Sequence, residues 1–356
     1  MKQLLSFNKS DRQWHLPLIA GLCVGTPMIL GWLIDNIEAG KLGSLAGLSI
    51  LYIQSDNLEK RMILLMTCCF GIMISYTVGL LFSFNPFLAP LALGVLSFGV
   101  HHSLHKLKLN RPPGNFFFIM VASMAICTPF DLETIPEKIG YVALGTILTC
   151  GIGFVYSLLT LKPTDKAEAE WPQKKAYVNI VESLTFGLFM GVSLMVAFLL
   201  KFDNPYWIPI SCLAVMQGQS TKHTWIRASQ RVLGTLIGLG ITWLIAFGNP
   251  TPLFMVIGIT ILQVIVEYLV VRNYAFAVVF ITILTIFLAE SHGILSQNTN
   301  QVFFARLTDI IIGSAIGAVG GWVLFQEKIH YQTALQLRKS NVLIRKKKKR
   351  KRMNNK

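Results

Sequence analysis

The chain has 356 residues, of which 53% are apolar and 14% charged, and it carries a formal net charge of +15. Its mean hydropathy of +0.56 is far above the value that a water-soluble domain of this size can carry. The composition therefore excludes a soluble globular protein and predicts an all-α, polytopic membrane helix bundle.

Apolar runs close to the ~20 residues that cross a bilayer recur along the whole chain and predict about twelve transmembrane helices. The first six are predicted near 16–34, 42–54, 62–82, 86–100, 115–130 and 139–160. The second six are predicted near 182–200, 206–218, 231–247, 253–271, 273–289 and 306–325. The first run is interpreted as a permanent helix, because no cleavage site for a signal peptide follows it.

Several motifs recur in the two sets of six helices. Gly21-Leu-x-x-Gly25 returns as Gly187-Leu-x-x-Gly191, and each set has a Gln at the end of its short second span. These recurrences predict two repeated halves with the same orientation in the membrane. The predicted segments are a first half (1–165), a second half (166–327) and a basic tail (328–356) that is disordered in solution.

The distribution of basic residues predicts the orientation, because short loops rich in Lys and Arg stay in the cytoplasm. With both termini inside, the outer side keeps only four of the 32 basic residues: Lys41, Lys138, Lys201 and Arg306. We therefore expect a multi-pass plasma-membrane protein with both termini in the cytoplasm. The nearest polyanion to the basic tail is then the anionic lipid surface, and nucleic acid is not expected as a partner. A homo-oligomer is compatible with the sequence.

The second and eighth spans are short and interrupted by Gly or Pro, at matching places in the two halves. Such pairs are the best sequence indication of a transporter's binding site. The polar and aromatic side chains that they offer to a substrate are Tyr52, Gln54, Tyr206, Trp207 and Gln217. An alternative for Tyr206 and Trp207 is an interfacial aromatic belt, with Pro209 starting a helix.

Arg227 and Arg231 are four residues apart, so they share a helix face, and the pair is suited to bind a carboxylate or phosphate. Ordinary positive flanking of a membrane span is the alternative for either residue. The spacing Gly234-x-x-x-Gly238, and the similar run that starts at Gly313, favour close helix crossings over ligand contacts.

Acidic residues in membrane spans are costly and are therefore candidates for proton coupling. Glu267 ranks first because it lies deep within its span. Asp309 is the second candidate, although a local ion pair with Arg306, three residues earlier, explains it equally well. The sequence contains no Walker loop, nucleophile elbow or His-Glu-x-x-His motif, so neither an enzyme nor a cofactor or metal is expected.

Residues 184–324 resemble the fusaric acid resistance protein-like family, also called the aromatic acid exporter family. Pro205-Tyr206-Trp207-Ile-Pro209 and Asn273-Tyr274-Ala275 carry part of this resemblance. The family motif falls on Tyr206, Trp207, Pro209, Arg227, Arg231, Gly234, Thr235, Arg306 and Asp309. The resemblance implies a plasma-membrane efflux permease for aromatic carboxylic acids or similar small anions, driven by the proton gradient. Many members carry large cytoplasmic domains, whereas a short link and a basic tail occupy those places here.

The leading hypothesis is therefore a secondary transporter that exports small organic anions. Two alternatives from other classes remain open. One is a passive anion channel, and the other is a non-transporting envelope protein that recruits partners through its basic tail. The substrate and the coupling ion are not specified by the sequence.

Overall fold

The computed structural model describes residues 7, 12–53, 57–107, 109, 111–160, 176–202, 204–248, 250–289 and 299–326. The first half contains α1 (Leu16–Leu33), α2 (Ile37–Gly47), a 3-10 helix (Leu48–Tyr52), α3 (Leu58–Leu81), α4 (Leu88–Lys106), α5 (Phe116–Ile126) and α6 (Ile135–Thr160). The second half contains α7 (Ala176–Leu199), α8 (Trp207–Met216), α9 (Thr221–Ala246), α10 (Pro252–Leu269), α11 (Tyr274–Ala289) and α12 (Thr299–Leu324). No strand occurs in these ranges, so the predicted all-α class is confirmed. The link 162–175, the basic tail and Gln54 lie outside them.

Seven of the helices are long and apolar enough to cross a membrane: α1, α3, α6, α7, α9, α10 and α12. Large apolar side chains also cover much of the outer surface, among them Phe70, Leu91, Ile147 and Leu244. Such a surface is unfavourable in water and favourable in lipid. The chain is therefore a multi-pass membrane protein, whereas the number of twelve spans stays a prediction.

Several helices begin earlier than the apolar pattern predicts, and α9 shows the largest difference. It begins at Thr221, ten residues before the predicted start, because the Ser220 side chain accepts a hydrogen bond from the His223 backbone and caps the helix. The helix thus extends beyond the apolar run that starts near residue 231, and it contains both Arg227 and Arg231. Residues 221–230 are partly polar, and several of them line a cavity.

The elements at the two predicted short spans, α2 and α8, are shorter than most of the other helices. All ten residues of α8 are buried, and at 1.5 Å per residue the helix is about 15 Å long, half the thickness of a hydrocarbon core. The eleven-residue α2 begins where the Asn36 side chain accepts the Ala39 backbone N–H, and it tightens into the 3-10 helix at its end.

The contacts between helices recur at an interval of six helices. In the first half α3 packs against α5 and α6, and α2 packs against α6; in the second half α9 packs against α11 and α12, and α8 packs against α12. Between the halves, α4 packs against α7, and α10 packs against α1. At the α4–α7 crossing, a Cβ on Gly94 would lie 2.9 Å from the Gly187 carbonyl oxygen, so the close backbone approach requires glycine.

Candidate functional site

A cavity of about 1880 Å³ lies between the two halves of the bundle. Its walls come from α1, α2, the 3-10 helix and α5 of the first half, and from α8, α9, α10 and α11 of the second. Apolar side chains of α5, namely Phe116, Phe117, Met120 and Met124, form one wall. The volume is larger than that of a typical pocket for a small molecule, so the cavity has room for a small organic ligand together with water.

Positive charge dominates the lining. Eight basic residues contribute to it: Arg12, Lys41, Arg61, Arg111, Lys222, Arg227, Arg231 and Arg272. Only two of the lining residues are acidic, Glu38 and Glu267. Since charges act over longer distances where water is excluded, this lining attracts anions into the protein and repels cations.

Arg227 and Arg231 meet at one tyrosine ring, that of Tyr274 at the start of α11. The Arg227 guanidinium lies 3.9 Å from the centre of the ring, and its Nε donates to the Ala214 carbonyl at 3.1 Å. The Arg231 Nη1 donates to the Tyr274 hydroxyl at 3.1 Å, and its Nη2 donates to Ser211 at 3.2 Å. Both guanidinium groups are therefore held in place before any ligand binds, as a binding site for an anion requires.

Trp207 and Tyr206 border the same cavity at the start of α8. Their rings lie 4.9 Å apart, and the guanidinium of Arg306 from α12 stacks over Trp207. The Arg306 Nη2 also donates to Thr285 at 2.8 Å. A cation therefore packs against the indole ring of Trp207, which lines the cavity.

The two predicted coupling carboxylates occupy different places. Glu267 lines the cavity, where its carboxylate lies 2.9 Å from Arg12 and accepts from Gln263 at 3.3 Å. Asp309 is 1% exposed and is not among the lining residues. Of the two, Glu267 is placed where a proton and a ligand could influence each other.

Tyr52, predicted from the short second span as a substrate-binding residue, does not line the cavity, whereas the predicted residues of α8 do. Tyr52 is 2% exposed, and its hydroxyl donates to the Gly114 carbonyl at 2.6 Å. It is not among the lining residues, whereas Gln217 is. The structure thus brings Trp207, Tyr206 and Gln217 together at one cavity without Tyr52.

The residues predicted to have structural roles lie at helix crossings. A Cβ on Gly234 would lie 2.7 Å from the Ala275 carbonyl oxygen of α11, and one on Gly238 would lie 2.6 Å from that of Val279. Gly313 of α12 approaches Ile208 of α8 in the same way. Pro209 and Thr235 are buried beside these crossings. In this arrangement the glycines bring the helices that carry the cavity residues close together.

Two residues of the site, Arg12 and Tyr274, were not identified as site residues from their sequence context. Arg12 precedes α1 and resembles an ordinary flanking charge, yet it pairs with Glu267, 255 residues later. Tyr274 had a signal in the Asn273-Tyr274-Ala275 motif, but the motif does not show what the ring contacts.

No group of three or more His, Cys, Asp or Glu side chains suited to a metal ion occurs in the part of the chain that the structure describes.

Comparisons with known proteins find one family and two relatives that are similar to this chain. Residues 192–320 match the fusaric acid resistance protein-like family. The uncharacterized membrane protein YvaC of Bacillus subtilis (strain 168) is 37% identical over 148 residues, which are 41% of this chain and 23% of that protein. A Haemophilus influenzae protein is 29% identical over 117 residues, which are 33% of this chain and 16% of that protein.

The chain thus spans less than a quarter of the length of these curated relatives. No solved structure matches it. The matched range begins within α7 and includes α8, Arg227, Arg231 and Tyr274. Over residues 192–320 the chain is similar to the fusaric acid resistance protein-like family, in agreement with the resemblance that its motifs carry.

Proposed function

We propose that the protein transports small organic anions across the plasma membrane and that the cavity between its halves is the binding site. The observation that carries this proposal is the Arg227–Tyr274–Arg231 cluster, which holds two cationic groups at a cavity with eight basic and two acidic lining residues. A neutral or cationic substrate would gain nothing from this arrangement, whereas a carboxylate would gain charge-assisted hydrogen bonds.

The distribution of side chains around the cavity also favours an anion with an apolar body. Arginine and tyrosine from α9 and α11 lie on one side, and the Phe and Met side chains of α5 lie on another. A carboxylate bound by the arginines would leave an aromatic ring for Trp207 and the α5 wall. Aromatic carboxylates meet both requirements, in agreement with the substrate class that the family resemblance implies.

The recurrence of helix contacts at an interval of six helices supports a two-fold repeat with the site between the copies. Alternating access by rocking of the halves then requires movement at the α4–α7 and α1–α10 contacts. We assign the direction as export and the driving force as the proton gradient, with Glu267 as the coupling carboxylate in the cavity. No enzymatic reaction is assigned to the site.

Flux measurements with purified protein in proteoliposomes test this proposal. With benzoate as the probe, the wild type should show saturable flux that responds to an imposed pH gradient, and Arg227→Gln should reduce it at least about tenfold, the effect of losing about 1.4 kcal/mol of binding. Lys60→Gln removes the same charge from an exposed position that is not part of the lining, so it should leave the flux unchanged.

Three results would contradict parts of the proposal. Absence of flux for a broad panel of aromatic and aliphatic acids would exclude the transport function. Benzoate currents in planar bilayers that are independent of the pH gradient and unaffected by Glu267→Gln would favour an anion channel instead. Loss of function on deletion of residues 328–356, with no effect of Arg227→Gln, would favour a protein that acts through its tail.

A further inference from the structure

A histidine and a glutamate face each other across the contact between the two halves. His101, near the end of α4, has its Nε2 3.8 Å from the carboxylate of Glu182 in α7. The imidazole also stacks on Phe186 of α7, with ring centres 4.5 Å apart. The two side chains are 18% and 12% exposed. This pair therefore joins the halves through an imidazole, which can carry a proton on either or both of its ring nitrogens.

The other ring nitrogen of His101 is connected to the cavity by two hydrogen bonds. Its Nδ1 lies 3.1 Å from the Nδ2 of Asn115, which directly precedes α5 and is 5% exposed. The Asn115 Oδ1 accepts from the Nε2 of Gln217 at 2.8 Å. Gln217 ends α8 and lines the cavity. The path from the imidazole to the cavity is thus His101, Asn115, Gln217.

The donors and acceptors along this path depend on one another. Because Gln217 donates to the Asn115 oxygen, the Asn115 NH2 group faces His101, and the Nδ1 of the ring must accept. The single proton of the neutral imidazole is then on Nε2, on the side of Glu182. The free end of the Gln217 amide is its carbonyl oxygen, an acceptor that repels an anion.

A second proton, on Nδ1 of His101, would place two donors opposite each other. The conflict is removed when the Asn115 amide turns over, because its oxygen then accepts from the ring. The NH2 of Asn115 now faces Gln217, which must turn over as well, and the free end of Gln217 becomes its NH2 group. Protonation at the interface between the halves thus converts an acceptor at the cavity into a donor, which favours an anion.

The charged surroundings are consistent with a proton site. Glu182 is the ionisable partner from α7, and Asn115 offers a neutral amide from the start of α5. Along α4 itself, His102, His105 and Lys106 follow the ring. His102 contacts a different residue, Asn179 of α7, at 3.2 Å, so its hydrogen bond leads away from the cavity.

We propose that His101 is a proton-binding residue that raises the affinity of the cavity for anions when it is protonated, through Asn115 and Gln217. This inference rests on the proposed anion-binding function. It adds a protonatable group that is distinct from Glu267 and lies at the opposite contact between the halves. Acidification then strengthens anion binding, and anion binding takes up a proton. His101 therefore regulates the affinity of the cavity and is not the group that couples export to the proton gradient.

Calorimetric titration of benzoate into the full chain in lipid nanodiscs, between pH 8.0 and pH 5.5, tests this linkage. The wild type should bind about tenfold more tightly at pH 5.5 than at pH 8.0, a usual size for coupling between two sites. Titrations in buffers with different ionisation enthalpies should show net proton uptake on binding. In a Glu267→Gln background, which removes the contribution of the coupling carboxylate, His101→Gln should bind with the same affinity at both pH values and without the proton uptake, whereas His102→Gln should keep both the pH dependence and the proton uptake.

A second variant separates the hydrogen-bonded path from simple electrostatic attraction. Asn115→Leu keeps His101 and Glu182 but interrupts the path, so it should also remove most of the pH dependence. Retention of the full pH dependence in folded His101→Gln or Asn115→Leu would overturn the inference while leaving the proposed function intact. Absence of saturable benzoate binding by the wild type at every pH would overturn the proposed function and this inference together.

Discussion

A single substitution at Tyr274 can distinguish the contact of Arg231 with the hydroxyl from the contact of Arg227 with the ring. Tyr274→Phe removes the hydroxyl that accepts from Arg231 and keeps the ring that lies 3.9 Å from the Arg227 guanidinium. Hydrogen bonds between membrane helices contribute about 0.6 kcal/mol on average and about 1.7 kcal/mol at most. A charged donor makes such a bond roughly twice as strong. We therefore expect a coupling free energy of about 1–1.7 kcal/mol between Tyr274→Phe and Arg231→Gln.

The measurement is a double-mutant cycle on the free energy of unfolding in mixed micelles, followed by circular dichroism. Coupling of Tyr274→Phe with Arg227→Gln should be smaller than that with Arg231→Gln, since the ring that Arg227 contacts is still present. Tyr268→Phe is the matched control. The guanidinium of Arg272 also lies over the ring of Tyr268, but Tyr268 is exposed. Equal coupling to both arginines, or none to Arg231, would refute the assignment of separate contacts to the hydroxyl and the ring.

Three further predictions concern the cavity charge, the contact between the halves and the topology. Glu267→Gln removes one of the two lining carboxylates and should tighten benzoate binding severalfold, by on the order of 1 kcal/mol, as measured by calorimetry; weaker binding would contradict the electrostatic argument. Gly94→Val should lower the melting temperature by several degrees, whereas Gly140→Val, with nothing within 4 Å of an added Cβ, should not. Cysteines introduced at Lys106 and Lys222 should react with an impermeant reagent from the same side of the membrane, and opposite sides would invalidate the predicted topology.

The helices could be predicted from the sequence because lipid imposes the same simple requirement on each of them. A run of apolar residues is needed whatever its neighbours are, and α1, α3, α6, α7 and α10 follow such runs to within about six residues. The short α8 was also evident, since Pro205 and Gly218 limit it on both sides. These features are local, and local patterns are sufficient to find them.

The start of α9 could not be found from apolarity because its first turns have a different environment. Residues 221–231 include Lys222, His223 and Arg227, which line the cavity, so this part of the helix is polar although it continues directly into an apolar span. The pattern is that of a soluble loop. The capping residue Ser220 was the available local signal, and it competed with a strong expectation that charged residues lie outside a membrane span.

The contacts of the site depend on distances along the chain that no local pattern records. Arg12 and Glu267 are 255 residues apart, and Tyr52 and Gly114 are 62 residues apart. A tyrosine in a short span is equally compatible with a hydroxyl that faces a cavity and with one that donates to a nearby carbonyl. The sequence identified which residues had the right chemistry, and the packing of α5 against α8 and of α10 against α1 determined which of them reach the cavity.

The apolar wall of the cavity and its arginine contacts place different requirements on the amino-acid sequence. An apolar wall such as that of α5 can be built from any large hydrophobic side chains, because the hydrophobic effect has no direction. The second half supplies contacts that need particular groups at particular distances, such as the guanidinium of Arg231 between a phenol and a serine. Substitution there removes a directional bond and leaves a buried charge less well satisfied, at a cost that a wall residue does not have. The range 192–320, which matches a protein family, contains these directional contacts of Arg231 with Tyr274 and Ser211.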